Sequence, residues 1–458
     1  MGNKTENKIP QKKRLFMDLT EGCIWKQLII YAFPLLCSSL IQQLYNTVDL
    51  MFIGQMVGKE AAAAVGSSSL FITCIVGFFT GMSIGTNILA ARFLGEQNFE
   101  KLKSMVSVST VLSIAGGLIM TVLAYVLTPV FLDLLRVPDD IFKLSEKYLQ
   151  IYIFSLLPIA VYNTGAGILR GLGDSRSPTL YQLIGGICNV IANIVFVGLL
   201  DWGVLGAAVT TVCSQGMAAV LIFRHLCRLD NGISFCIKKI QMTLADMKDI
   251  MIVSIPAGVQ AISITLSNLI VQSRINDLGV DSIAAFTSYF KVELFIYLPI
   301  MAIGQASVTF TGQNIGAKKL DRALKGLKVS LFLGLVMTVL TSAFIMLLCG
   351  FVLRLFTKDM SVIAIGIQII RVTVPFYFIY VFLEVFSAFI RGSGRILSST
   401  LIVLVNMCVF RPLCVTFLSN LQPNATTIAW VYPITWFTSS VCLFIYFLWI
   451  RKALITSA

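Results

Sequence analysis

The chain has 458 residues, 57% of them hydrophobic and 12% charged, with a formal net charge of +13 and a mean hydropathy of +0.87. Soluble domains carry about twice that share of charge, so the composition excludes an ordinary globular enzyme and a disordered chain and leaves a polytopic membrane protein. A spanning helix takes about 20 apolar residues, which gives room for about a dozen spans.

The first 19 residues are polar and basic (Lys4, Lys8, Lys12, Lys13, Arg14). They lack the apolar core and cleavage site of a signal peptide and read as a cytoplasmic tail, 1–23. Asp18-Leu19-Thr20-Glu21 marks a helix start with Thr20 at the N-cap. Twelve apolar blocks follow, with soft edges, at 24–53, 61–91, 105–132, 148–169, 178–200, 203–223, 250–273, 283–311, 329–353, 362–390, 396–418 and 427–450. The longer blocks predict tilt or extension beyond the membrane rather than extra spans. Pro34, Pro158, Pro256, Pro299 and Pro375 lie inside blocks and predict kinks, since neighbouring helices satisfy the freed carbonyls.

The basic residues fall between blocks rather than on a soluble domain, so the positive charge does not point to nucleic acid. With the N-terminus placed in the cytoplasm, the tail and even-numbered loops hold 25 of the 35 Lys and Arg. The odd-numbered loops hold seven (Lys59, Arg136, Lys143, Lys147, Arg274, Arg354, Lys358), and Lys291, Arg371 and Arg411 lie within blocks. This asymmetry puts both termini in the cytoplasm of a multi-pass plasma-membrane protein, expected as a monomer in the lipid bilayer. Cys37, Cys74, Cys188, Cys213, Cys408 and Cys442 sit inside blocks without metal-ligand spacing and read as small buried hydrophobes. His225 is the sole histidine, which removes zinc sites built on several histidines.

The chain repeats itself. Pro34 and Asn46 match Pro256 and Asn268 at an offset of 222, and Ile168-Leu169-Arg170-Gly171-Leu172-Gly173-Asp174 matches Phe389-Ile390-Arg391-Gly392-Ser393-Gly394-Arg395. The prediction is an all-α protein of two six-helix lobes, 24–227 and 250–452, joined by a linker, 228–249. Six spans per lobe is even, so the lobes enter the membrane in the same direction and are related by a pseudo-two-fold axis along its normal. A substrate site between two such halves is a transporter's solution to alternating access.

Charge at mid-span costs about 2.5–3.5 kcal/mol or more, so the six charges clearly within blocks, Asp49, Lys291, Glu293, Arg371, Glu384 and Arg411, are candidates for function. Asp49 leads. Gln42, Asn46 and Asp49 are spaced to share one helix face, and Asn189 and Asn193 form an i, i+4 pair at comparable depth. A carboxylate beside amide oxygens holds a proton or a dehydrated sodium ion; the alternative is a purely structural hydrogen bond. At the offset that matches the prolines, Asp49 falls on Val271, so the acid belongs to the N-terminal half alone. Lys291 and Glu293, at i, i+2, do not face each other; each pairs elsewhere or lines the cavity, and Glu293 either attracts a cationic substrate or belongs to a structural cavity network. Glu384 pairs with Arg391, and Arg371 and Arg411 close salt bridges. Gln42, Tyr152, Asn268, Gln272, Tyr289, Lys291 and Glu293 are candidates to line a substrate cavity, and Tyr162, Phe286, Phe290 and Tyr297 add candidate aromatic faces.

There is no G-x-x-x-x-G-K-[ST] phosphate loop, and the Gly171/Gly173 and Gly392/Gly394 pairs follow helices rather than strands; they read as tight turns with close helix packing. Without a nucleotide site or other cofactor, the energy source is an ion gradient.

Asp18-Leu19-Thr20-Glu21-Gly22, Phe33-Pro34, Gln43-Leu44-Tyr45-Asn46-Thr47-Val48-Asp49 and Ile53-Gly54 resemble the first helix of the multidrug and toxin extrusion (MATE) family. Arg170-Gly171-Leu172-Gly173-Asp174, Gly312-Gln313-Asn314-Ile315-Gly316-Ala317 and Arg391-Gly392-Ser393-Gly394 resemble further stretches of it. The resemblance covers nearly the whole chain. It implies two six-helix lobes about a central cavity and export of small organic, mostly cationic drugs, coupled to inward flow of protons or sodium. Asp49 matches the family's first-helix acid, and Asn189 and Asn193 its fifth-helix polar pair; some members have an aspartate in the place of Asn193. The seventh helix has Gln260, Asn268 and Gln272 but no acid, unlike some branches, which leans the coupling ion towards a proton. The rival readings are a lipid-linked oligosaccharide flippase of a related two-lobe superfamily, a membrane enzyme and a channel.

Overall fold

The computed structural model describes residues 17–135, 137–229, 233–235 and 243–456. The basic tail ahead of Met17, Arg136, and Lys238 and Lys239 of the linker lie outside them. All regular structure among the described residues is helical. Twelve helices are long and apolar enough to cross a membrane. They are α1 (Ile24–Val57), α2 (Glu60–Gly95), α3 (Phe99–Leu134), α4 (Asp139–Gly171), α5 (Arg176–Leu199), α6 (Gly203–Cys227), α7 (Leu244–Asn276), α8 (Val280–Gly316), α9 (Leu320–Arg354), α10 (Met360–Gly392), α11 (Ile396–Leu421) and α12 (Ala425–Leu454). Each predicted block falls on one of them.

Local chemistry sets where several begin. Side-chain oxygens of Asn98, Thr243, Asp359 and Asn424 accept hydrogen bonds from backbone N–H groups of the first turns of α3, α7, α10 and α12, which satisfies donors a helix start leaves unpaired. The predicted cap at Thr20 is wrong. Asp18 Oδ1 accepts from both the backbone N–H of Thr20 (2.9 Å) and its hydroxyl (2.7 Å), an Asx turn that holds this segment outside α1. Pro34, Pro256 and Pro299 lie inside α1, α7 and α8. In α4 and α10 the helix instead tightens to 3-10 turns at Ile153–Ser155 and Val374–Phe376, at the same offset that relates Arg170 to Arg391.

Helices α1–α6 and α7–α12 form two lobes. The first packs around Leu102, Val106, Ile168 and Ile222 and around Ile53, Phe79, Leu149 and Leu156; the second packs around Ile275, Tyr289, Phe389 and Val431. Their pseudo-two-fold relation is visible where α2 meets α8. A Cβ on Gly95 would strike the Gln313 carbonyl, and a Cβ on Gly316 would strike the Arg92 carbonyl; the two contacts exchange under the repeat. Both Arg-Gly-x-Gly turns behave as their spacing predicts. Gly173 and Gly394 take φ of +95° and +88°, a region that disfavours other residues.

The described hydrogen bonds between the lobes lie at the end of the bundle that carries the chain termini. Tyr31 Oη is 3.2 Å from Thr309 Oγ1, Thr309 Oγ1 donates to Asn87 Oδ1 (2.9 Å), and Gln313 Nε2 donates to the Gly171 carbonyl (3.0 Å). The described part of the expected tail is wedged into this seam. Leu19 is fully buried against Leu28, Tyr31 and Phe310. Its N–H donates to Gln313 Oε1, and its carbonyl accepts from Asn314 Nδ2 and Arg322 Nε. The sequence expectation for the cysteines also changes. The six named thiols are free and none is buried; Cys213 and Cys442 are exposed, as apolar side chains on the outward face of a membrane helix are.

Candidate cation-coupling site

Asp49 sits near the end of α1, one turn before the helix widens into a π segment at Ile53–Val57. α5 has the same feature: a π segment, Ile194–Leu199, begins directly after Asn193. Such segments often accompany functional sites. The two helices pack together and bring the acid and the amides into one network. Asn193 Nδ2 donates to Asp49 Oδ1 at 2.5 Å and to Asn189 Oδ1 at 3.2 Å, and Asn189 Nδ2 donates to Asp49 Oδ2 at 3.4 Å. Asn189 and Asn193 are buried and Asp49 is half-buried.

A further residue completes the network. Thr210 Oγ1, on α6, lies 3.4 Å from Asn193 Oδ1 and donates to it, and also bonds the Ala207 carbonyl at 2.7 Å. The amide donors therefore all point one way, through Asn189 and Asn193 to the carboxylate, and Thr210 shares its single hydroxyl hydrogen between Asn193 Oδ1 and the Ala207 carbonyl. Both amide oxygens are occupied, Asn189 Oδ1 by Asn193 and Asn193 Oδ1 by Thr210. One helical turn from Asp49, Tyr45 Oη accepts from Gln215 Nε2 at 3.2 Å. The sequence reading does not single out Thr210 or Gln215; the signal for Thr210 is the face Gly206, Thr210, Ser214 on α6, four residues apart. Gln42 and Asn46 are exposed, and Asn46 does not join Asp49 in the network.

The C-terminal lobe gathers a different set. Tyr377 Oη donates to Glu293 Oε1, and Glu293 is half-buried while its near neighbour Lys291 is exposed. Arg411, only 4% exposed, donates to Asn268 Oδ1 (3.0 Å) and towards Thr435 Oγ1 (3.3 and 3.4 Å), and lies 5.4 Å from the Tyr432 ring centre. The expected salt bridges of Arg371 and Arg411 are absent among the described residues. Arg411 is satisfied by neutral oxygens and a ring face, and Arg371 is exposed. Glu384 pairs with Arg391 as expected, at 2.9 Å and with both side chains nearly buried. Gln272 Nε2 donates to Asn276 Oδ1 (2.9 Å), apart from these groups. Tyr152, Tyr162, Phe286 and Tyr289 are packed inside their lobes, so none lines an open surface here; Phe290 and Tyr297 are part-exposed.

The comparisons with known proteins agree with this architecture. The MatE family profile matches residues 34–197 and 256–416, one match per lobe. The chain is 24% identical over 463 aligned residues to the probable multidrug resistance protein YoeA of Bacillus subtilis, covering 99% of this chain and 98% of that one. It is 22% identical to the multidrug export protein MepA of Staphylococcus haemolyticus, covering 93% of each. Among solved structures, the outward-facing conformation of a multidrug resistance MATE family transporter of the MOP superfamily superimposes with a TM-score of 0.89 at 22% identity, covering 96% of this chain and 98% of that one. A MOP superfamily transporter from Pyrococcus furiosus gives 0.88 at 21% identity, covering 95% and 98%. With the family profile covering most of both lobes and the same twelve-helix fold, the chain belongs to the MatE family of membrane transporters.

Proposed function

We propose that this protein is a multidrug efflux antiporter that exports small organic cations in exchange for protons bound and released at Asp49. We assign 24–227 to an N-lobe, 228–249 to a linker and 250–452 to a C-lobe, in a plasma-membrane monomer with both termini cytoplasmic. The observation that carries the reading is the half-buried Asp49 carboxylate, held by Asn189 and Asn193, in a lobe whose repeat partner has Val271 in its place.

The donor pattern favours a proton over sodium. A dehydrated hard cation takes several oxygen ligands, and here both amides present N–H groups rather than oxygens to the carboxylate. Protonating Asp49 turns an acceptor into a donor and sets one oxygen against the amide N–H groups that now point at it. The network must rearrange, and with it the packing of α1 on α5. The lobes meet at the end that bears the termini, so the other end is where a proton reaches Asp49 and cargo leaves. We place the cargo against the exposed Gln42, Asn46, Asn268, Gln272 and Lys291 and the half-buried Glu293, with Tyr152 and Tyr289 supporting from behind. One charge falling through 100 mV supplies about 2.3 kcal/mol to drive the exchange.

The test is dye transport in proteoliposomes under separately imposed proton and sodium gradients. Transport driven by the proton gradient and lost in Asp49→Asn is expected. Transport driven by sodium alone overturns the ion, and unchanged transport by Asp49→Asn overturns the site.

A further inference from the structure

Between the head of α1 and the turn that joins α8 to α9 lies a cavity of about 690 Å³, in the size range of small-molecule sites. Gly22 and Ile24 line one side; Lys318, Lys319, Arg322 and Lys325 line the other, with Asp321 the acid among them. One wall thus comes from the head of the first lobe and the other from the second lobe, at the end where the lobes are closed.

The four bases divide by what they already hold. Arg322 donates to the Leu19 carbonyl (3.2 Å), the Gly22 carbonyl (2.8 Å) and Gln27 Oε1 (2.8 Å). Lys319 Nζ donates to the Thr20 carbonyl (3.1 Å) and lies 3.8 Å from Glu21. These two dock the segment ahead of α1. Lys318 and Lys325 are exposed and have no hydrogen bond or ion pair among the described residues, so their charge is free for a ligand.

The repeat shows that the turn does not need these bases. Gln97 and Lys318 hold the same place in the two lobes, with φ of +53° and +57°, so the two turns share a backbone. The first lobe has Gln97, Asn98 and Ser104 where the second has Lys318, Lys319 and Lys325. Asn98 caps α3 by accepting from the Lys101 N–H (3.1 Å); Lys319 gives α9 no side-chain cap, so a favoured capping residue is given up for a base. The Ser104 hydroxyl donates to Asp246 Oδ2 (2.7 Å) and ties α3 to the head of α7. The repeat counterparts of that pair are Lys325 and Ile24, which cannot bond to each other, and both line the cavity. An orientation signal needs only charge in the loop; it needs neither the missing cap nor the open space.

The surroundings are those of a membrane boundary. Beyond Ile24, α1 turns Trp25, Ile29 and Phe33 outward, 50%, 45% and 64% exposed, as side chains against lipid are. Lys26 Nζ lies 5.5 Å from the centre of the Trp25 ring, and tryptophan is enriched at headgroup depth. The cavity opens where charged headgroups meet apolar side chains.

We infer that this cavity binds the phosphate headgroup of an anionic phospholipid, with Lys318 and Lys325 on the phosphate oxygens, and that the bound lipid bridges the lobes and holds this end closed. Basic pockets between membrane helices are sites for such headgroups. Asp321 and Glu21 oppose the phosphate, and Lys319 offsets Glu21. Parting the lobes carries Gly22 and Ile24 away from the lysines and takes the cavity apart. The lipid therefore binds the closed form better and shifts the population towards it. Neither the coupling ion nor Asp49 enters this inference.

The test uses the full chain in phosphatidylcholine nanodiscs with and without phosphatidylglycerol. Native mass spectrometry counts retained phosphatidylglycerol. Amide exchange over residues 17–22, where the Leu19 N–H donates to Gln313 Oε1, reports opening of the seam. Phosphatidylglycerol should be retained by the parent and slow that exchange about fivefold or more. Lys318→Gln with Lys325→Ser, the side chains of the first lobe, should lower retention about tenfold or more and abolish the slowing. Lys101→Gln with Lys103→Gln removes the same charge from the first lobe's own turn and should leave both at the parental level. Parental retention in the monodisperse Lys318/Lys325 variant overturns the site. Retention by the parent without slower exchange overturns the bridge between the lobes. Inorganic phosphate that slows exchange equally in phosphatidylcholine alone overturns the lipid and makes free phosphate the ligand. Asp49→Asn should keep the full lipid response, so loss of the coupling site and loss of this site are read separately.

Discussion

The two lobes share a helix plan and differ in what they bury at matching positions. Asp49 falls on Val271 at the offset that relates the prolines, and Thr210 and Ser214 fall on Val431 and Thr435 at the offset that relates the Arg-Gly-x-Gly turns. One lobe holds a carboxylate under the amide donors of Asn189 and Asn193. The other holds a guanidinium that donates to Asn268 and Thr435 and lies over Tyr432, surrounded by interlocked rings such as Tyr377 and Trp436, 4.6 Å apart. A carboxylate at mid-span can discharge by taking a proton, whereas an arginine stays charged. On the proposed reading the N-lobe exchanges its ion at Asp49, while the C-lobe sets a fixed guanidinium at Arg411 and holds its own carboxylate, Glu293, under the Tyr377 hydroxyl.

The comparison breaks most sharply at Asp49. Asp49→Asn should reduce proton-driven efflux to the leak rate while the protein still folds, measured as dye transport in proteoliposomes; surviving coupling would move ion exchange to the other lobe. Next comes the buried pair. Arg391→Ala strands Glu384 and should destabilise the protein by about 3–5 kcal/mol in detergent unfolding. Arg170→Ala at the matching position should cost far less, since Asn163 stands where the C-lobe has Glu384. Glu293→Gln should weaken binding of a cationic dye up to about tenfold, equivalent to about 1.4 kcal/mol, without altering the proton dependence of transport; a changed proton dependence would make the C-lobe an ion-exchanging partner. Thr210→Val removes one donor to Asn193, worth about 1 kcal/mol, and should slow transport about fivefold.

The smallest difference lies where α4 and α10 begin. α4 follows Pro138 without a side-chain cap, whereas the exposed Asp359 accepts from Ser361 ahead of α10, which holds its carboxyl below the usual carboxylate range. A depressed carboxyl pKa stabilises the fold above the unfolded-state value and loses that contribution as pH falls through the folded value. Amide exchange at Ser361 should therefore be faster in Asp359→Ala than in the parent at neutral pH, and the two should converge in acid.

The twelve spans were legible because hydropathy alone marks them, and the lobes because the repeat preserves Pro34/Pro256 and the Arg-Gly-x-Gly turns. The Asp49–Asn189–Asn193 cluster was legible because polar groups are rare and costly inside a bilayer. Thr210 was not, because a threonine in a membrane helix ordinarily satisfies itself on a carbonyl of the preceding turn, as this one also does with Ala207. The Tyr377–Glu293 contact joins α10 to α8 and leaves no mark in local spacing. Arg411 misled because a buried cation suggests an acid, and its partners here are Asn268, Thr435 and a ring. The segment Met17–Gly22 read as tail because it is short and polar; its docking, with Leu19 buried, comes from carbonyls that find donors on α8 and α9, hundreds of residues away.

That segment also sets a conformational preference. Parting the lobes at this end withdraws Leu19 from its pocket, and exposing a buried leucine costs about 1.5–3 kcal/mol. On its own this weights the closed-end state by roughly ten- to 150-fold. The resting population is therefore tilted by a stretch that precedes the first membrane helix, and cargo entering from this side must bind the opened form more tightly by at least that factor to reverse it.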